Sequence, residues 1–295
     1  MSTEAVDPRY VGLDTWPAER IVEAVTEANA RAIEAVRRAT PELARAAAGI
    51  EQRLREGGRL VYVGAGTSGR LGVQDAAELA PTFGFEDVVL LMAGGGDAQA
   101  RAKEGAEDDV DAARREVEAA GIGPADVVVG VAASGRTPYT VAAVEHARER
   151  GAFTVGIANN PDTPLLSAAE VGVLLDTGPE VLAGSTRLAA GTAQKAALNA
   201  LSTAAMVRMG GAYDNLMVAM RPLNAKLIER AARIVAQAAG SSQEEAVKLL
   251  NAAGGDMRVA IVMGVTGASA EASAKALQES GGLVRAAIES LRKAG

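Results

Sequence analysis

Along the first two-thirds of the chain, short runs of apolar residues alternate with longer amphipathic stretches. Residues 1–16 lack either pattern, and Pro8, Gly12 and Pro17 interrupt them, so they read as irregular. From Pro17 to about Leu54 the spacing predicts two helices. Pro41 falls in the first turn of the second, where no backbone N–H is required. Gly57-Gly58 ends that helix, and Arg59–Val63 is an apolar run suited to a buried strand. A glycine-rich turn and a helix over about 68–79 follow. Val88–Met92 predicts a second strand, and 97–120 a charged helix. Ala125–Ala132, Phe153–Ile157 and Val171–Leu175 predict three more strands, with a helix over 137–150 and a long one over about 190–209.

Strands that are apolar at every position must be covered on both faces, which predicts a parallel sheet. Right-handed crossovers make this an α/β, doubly wound parallel-sheet sandwich. After about Arg221 the strand pattern ends. Residues 222–295 read as helices broken at Gly240, Gly254-Gly255, Gly267 and Gly281-Gly282. Ser241 and Ser242, each followed three residues on by Glu244 or Glu245, predict a capped helix start there. The expected organisation is a helical segment over 1–54, the α/β domain over 55–221 and a small helical subdomain over 222–295.

Composition narrows the chemistry. Thirty Lys and Arg against 37 Asp and Glu give a net charge of −7. With no basic block and 3% aromatics, the chain lacks the surface that nucleic acid or an anionic membrane requires. It contains no Cys and one His, His146, in the polar setting Glu145-His146-Ala147-Arg148. Disulfides, thiolate catalysis and Cys-based metal sites are thereby excluded, and no metal or cofactor is expected. The N-terminal residues carry no basic-then-apolar leader pattern, and the apolar runs fall far short of the roughly 18 residues of a membrane helix. The expected location is the cytoplasm.

The glycine-rich turn is Gly64-Ala-Gly-Thr-Ser-Gly69-Arg70. Its G-x-G-x-x-G spacing raises a dinucleotide site, which needs an acid after the second strand to hold the ribose. Here that strand runs into Met92-Ala-Gly-Gly-Gly96, so the acid is missing. Thr67 and Ser68 instead bring two hydroxyls to the free N–H groups of a helix start, a setting for a compact phosphate. The third strand ends in Ser134-Gly-Arg-Thr137-Pro138 and repeats the device. Gly184-Ser185-Thr186, before the long helix that carries Lys195, is a third such loop. Hydroxyl-rich loops without a P-loop lysine favour a sugar phosphate over a nucleoside triphosphate.

These turns resemble the sugar isomerase (SIS) fold, a phosphosugar-binding sandwich. Longer strings are similar to the N-acetylmuramic acid 6-phosphate etherase family: Val63-Gly-Ala-Gly-Thr-Ser-Gly-Arg-Leu-Gly72, Asp75-Ala-Ala-Glu78, Pro81-Thr-Phe-Gly84, Glu104-Gly-Ala-Glu107-Asp108, Ala132-Ala-Ser-Gly-Arg-Thr-Pro-Tyr139 and Ala190-Gly-Thr-Ala-Gln-Lys195. The likeness runs from about residue 8 to the end and includes a helical tail like the family's ubiquitin-associated-like module.

The resemblance implies cleavage of the lactyl ether of N-acetylmuramic acid 6-phosphate to N-acetylglucosamine 6-phosphate and D-lactate. It assigns catalysis to Glu78 as acid and Glu107 as base. Substrate binding falls to Gly66, Thr67, Ser68, Gly69, Ser134, Gly135, Arg136, Thr137, Ser185, Thr186 and Lys195. Two carboxyl groups suffice for elimination and hydration without metal or His. On composition alone, Glu107 sits in an acidic run that reads as a solvated helix face. Glu78 requires a raised pKa, which partial burial against Leu79 and Phe83 would supply. The resemblance further implies a homodimer. A phosphosugar isomerase and a non-catalytic phosphosugar sensor are the alternatives on the same fold.

Overall fold

The computed structural model describes residues 2–99, 103, 105–220 and 225–294. The chain forms two compact units, one of residues 1–76 and 87–202, the other of 77–86 and 203–295. Among the described residues no helix is long and apolar enough to cross a membrane.

In the first unit, α1 (Ala18–Arg38) and α2 (Thr40–Arg55) lead into β1 (Leu60–Gly64) and α3 (Gly66–Phe83), whose last turns belong to the second unit. Then come β2 (Val88–Met92), α4 (Val110–Ala119), β3 (Val127–Val131), α5 (Pro138–Glu149), β4 (Phe153–Ala158), α6 (Pro164–Ala168), β5 (Val171–Leu174) and α7 (Ala189–Met206). The five strands are parallel in the order β2-β1-β3-β4-β5. Chain order reverses direction between β1 and β3, and at such a switch point the loops beyond the carboxyl ends of the two strands part to leave a crevice.

Alternate strand residues serve opposite faces. Val61, Val63 and Val128 join a core with Ala113 and Val117 of α4, and Ala143, Val144 and Ala147 of α5. On the other face Phe153 lies so close to α2 that a Cβ on Gly49 would stand 2.1 Å from its ring. Only glycine fits there. The strands are buried throughout β1, β3 and β4, which is why they lack polar alternation.

The second unit continues through the hairpin β6 (Ala212–Tyr213) and β7 (Leu216–Met217) to α8 (Ala225–Ala239), α9 (Gln243–Ala252), α10 (Met257–Thr266), α11 (Ala270–Glu279) and α12 (Val284–Ala294). Its core includes Val235, Leu250, Ile261, Leu277 and Ile288. Ser242 Oγ accepts the Glu245 N–H at 3.1 Å, the cap expected at the start of α9.

Three expectations are revised. The charged helix expected over 97–120 is helical only from Val110, after single turns at Gly96–Gln99 and Ala106–Asp108. Gly105 takes φ +73° and Asp109 caps the helix by accepting the Ala112 N–H, so the chain turns before the helix begins. Residues 100–102 and 104 of that stretch, and the expected boundary at 221/222, lie outside the described residues. Residues 2–16, expected to be irregular, hold no α-helix or strand but single turns at Ser2–Glu4, Pro8–Tyr10 and Leu13–Thr15. The short α6 and the hairpin carried no periodic signal; Asp214, at φ +51°, makes the hairpin's tight reversal.

Candidate functional site

The β1–α3 connection is made tight by two glycines facing one another. A Cβ on Gly64 would stand 2.8 Å from the Gly69 N, and one on Gly69 would stand 2.9 Å from the Gly64 O. Gly66 adopts φ +53° with open space around its missing Cβ. The first turn of α3 therefore starts directly at the strand end. The β3–α5 connection uses Gly135 at φ +64°, where a Cβ would collide with Thr163 Oγ1 at 2.3 Å. Pro138 opens α5, and the Arg136 N–H donates to Ser134 Oγ at 3.1 Å, which fixes that loop.

Between these connections lies a cavity of about 450 Å³. Its lining includes Gly66, Thr67 and Ser68 after β1, Ser134, Arg136 and Thr137 after β3, and Thr186 ahead of α7. Ser68 is 8% exposed, so its hydroxyl is held in place by packing. Ser134 Oγ and Thr137 Oγ1 are 3.5 Å apart. Carboxylates enter from Glu107 and Asp108, and from Glu4 in the first turn of the chain. Hydroxyls and two helix starts converging on one crevice suit a phosphate ester. The carboxylates beside them suit the proton transfers or hydroxyl contacts of a polyol.

Glu107 also borders a smaller cavity of about 180 Å³, lined by Arg70, Met92, Lys103 and Gly105 among others. This acid, with Ala65 and Gly66, thus lines both a hydroxyl-bearing cavity and a cation-bearing one. Ala106–Asp108 is a single turn ahead of α4, so Glu107 lies on that turn rather than on a helix face, and it is exposed there.

The sequence-assigned residues do not all gather here. Gly69 and Gly135 serve the backbone packing described above. Ser185 is half-buried beside Thr186 without lining the cavity. Lys195 Nζ donates to Asn199 Oδ1 at 2.5 Å. All cavity-lining residues come from the first unit. Glu78 belongs to the second, where it is exposed on α3 rather than partly buried. Sequence reasoning missed Glu4, whose only signal was its place in a stretch without periodicity. Among the described residues no group of three or more His, Cys, Asp or Glu forms a metal cluster.

The sheet order and the crevice are those of a doubly wound α/β domain with a site at its switch point, and family models place that domain in the SIS fold. Residues 110–204 match the SIS domain model, and 42–148 match the glucokinase regulatory protein N-terminal SIS domain. The solved structure of a Bacteroides fragilis protein described as a phosphosugar isomerase involved in capsule formation superposes with a TM-score of 0.50 at 21% identity, covering 66% of this chain and 94% of that one.

Closer relatives narrow the class. The N-acetylmuramic acid 6-phosphate etherase of Deinococcus radiodurans is 53% identical over 86% of this chain and 84% of its own. That of Rubrobacter xylanophilus is 49% identical over 86% and 85%. The chain belongs to the N-acetylmuramic acid 6-phosphate etherase family.

Proposed function

We propose that the protein is a carbon–oxygen lyase that releases D-lactate from N-acetylmuramic acid 6-phosphate by elimination and then hydration. The observation that carries this reading is the cavity at the β1/β3 switch point, with Glu107 lining both it and a neighbouring cavity, in a chain about half identical to etherases. The phosphate sits among the hydroxyls of Ser68, Ser134 and Thr137 and the helix N–H groups. The substrate carries a second anion, the lactyl carboxylate, and the lobe containing Arg70 and Lys103 offers cations for it. An isomerase substrate has no such group.

An ether oxygen leaves poorly, so the reaction needs an acidic proton on the neighbouring carbon. Ring opening exposes a carbonyl that acidifies carbon 2. Glu107, ionised, removes that proton; Glu78, protonated, delivers one to the departing lactate oxygen; water then adds across the double bond. Glu78 is exposed in the single chain. A homodimer that covers that stretch of α3 would shield the acid from water. A sugar phosphate does not cross a membrane unaided, so its consumer must share its compartment, and the reading places both in the cytoplasm.

The test is incubation of the purified protein with N-acetylmuramic acid 6-phosphate, without added metal or nucleotide, and assay of D-lactate. Lactate from wild type that disappears in Glu78→Gln supports the lyase and its acid. Saturable sugar phosphate binding without lactate overturns the lyase reading.

A further inference from the structure

The first turn of the chain is stitched to the carboxyl edge of the sheet. Thr3 is fully buried. Its N–H donates to Asn160 Oδ1 at 3.3 Å, while Asn160 Nδ2 donates to Thr3 Oγ1 and to Ala133 O, each at 2.9 Å. Ser2 Oγ adds a bond to Asn160 Oδ1 at 3.1 Å. On the other side the Gly184 N–H donates to Thr3 O at 3.2 Å. Buried Asn160 thus ties residues 2–4 to the end of β3, and Thr3 ties them to the loop before α7. The next residue is Glu4, which lines the main cavity together with Ser68, Ser134 and Thr186.

Gly184 provides the seat. It adopts φ +76°, and a Cβ there would stand 2.9 Å from Glu4 Oε2. The carboxylate lies over a position whose backbone conformation calls for glycine, and the absent side chain leaves room for it. Glu4 is therefore aimed into the cavity by a turn held at Thr3, although the side chain is itself exposed.

We infer that Glu4 reads the sugar of the sugar phosphate, its carboxylate accepting a hydrogen bond from a ring or chain hydroxyl or from the acylamino N–H. The inference rests on the proposed sugar phosphate site. A carboxylate accepts but does not donate, and it repels anions. Placed beside phosphate-binding hydroxyls, it leaves inorganic phosphate unaided and rewards a phosphate that carries donors on an attached polyol. It is a specificity residue.

The experiment compares wild type, Glu4→Gln and Glu4→Asp by equilibrium binding of N-acetylglucosamine 6-phosphate and of inorganic phosphate. Lactate release from N-acetylmuramic acid 6-phosphate is followed in parallel. A bond to a charged acceptor is worth enough that Glu4→Gln should weaken sugar phosphate binding about tenfold or more. Phosphate binding should stay unchanged or tighten, and Glu4→Asp, with a shorter reach, should fall between. Sugar phosphate binding that is unchanged in Glu4→Gln, or that weakens in step with phosphate binding, overturns the role of Glu4. Wild type that binds the sugar phosphate but releases no lactate overturns the etherase reading while the comparison at Glu4 still decides this one. Wild type that binds no sugar phosphate overturns both.

Discussion

The phenol of Tyr62, on β1, donates a 2.6 Å hydrogen bond to Asp75 Oδ2, on α3. Burial, reinforced by the negative charge of Asp75, pushes the Tyr62 hydroxyl well above the usual tyrosine range, so it remains a donor. The other carboxylate oxygen accepts from Asn199 Nδ2 at 2.7 Å and Ser202 Oγ at 3.3 Å, both on α7. One buried carboxylate therefore ties together the strand, the helix that opens the phosphate-suited turn, and α7. Asn199 also receives Lys195, which accounts for that lysine's direction.

Tyr62→Phe removes one donor and leaves Asp75 under-satisfied in a buried setting. The expected cost is about 1–3 kcal/mol of stability. Urea unfolding followed by circular dichroism measures it, and a midpoint within error of wild type would show that the network contributes nothing through this bond.

Substrate anchoring yields a kinetic prediction. Ser68 and Ser134 lie on the two turns flanking the cavity. In the proposed pose they contact the phosphate, which does not change between ground state and transition state. Ser68→Ala and Ser134→Ala should each raise KM about tenfold with kcat within a few-fold of wild type. Steady-state lactate release tests this, and an equal fall in kcat would put the hydroxyls at the reacting centre.

The five parallel strands were legible as continuous apolar runs, which burial on both faces explains for β1, β3 and β4, and glycines punctuate the C-terminal helices where they end. The Ser68 and Ser134 turns were legible because hydroxyls at a helix start follow a strand directly. Other features depend on interactions that periodicity does not carry. Glu107 read as part of a charged helix, yet Gly105 and the Asp109 cap hold it in a turn. Glu4 read as irregular chain, yet buried Thr3 and Asn160 fix its turn through contacts more than 150 residues apart, as with the 157-residue separation of Thr3 and Asn160. Gly69 and Gly135 read as ligand-binding positions in sequence, and the structure adds that close backbone and side-chain approach requires glycine at both.

Acid stability should depend on Asp126, just ahead of β3. Desolvation raises its pKa, but hydrogen bonds from the Arg59 side chain and from the Gly123 and Arg59 N–H groups outweigh that and hold it below the usual carboxylate value. A depressed native pKa means that the unfolded state binds the proton more readily. The stabilisation is present above the unfolded value of about 3.9 and is lost as pH falls through the lower native one. Asp126→Asn should therefore narrow the stability difference between pH 6 and pH 3, checked by thermal unfolding across that range. An unchanged difference would remove Asp126 from the acid transition.

The division of labour between the two glutamates is separable in deuterium oxide. If Glu107 only takes the carbon 2 proton and Glu78 only protonates the leaving oxygen, Glu78→Gln should lose lactate release by roughly 10²–10⁴-fold while exchange at carbon 2 continues. Glu107→Gln should lose both, because no carbanion forms. Exchange is read by proton NMR on the sugar phosphate, and lactate by a coupled dehydrogenase. Loss of exchange in Glu78→Gln as well would merge the roles in one residue. Survival of exchange in Glu107→Gln would hand the base role to another carboxylate, and Asp108 and Glu4 are the other acids that line the cavity.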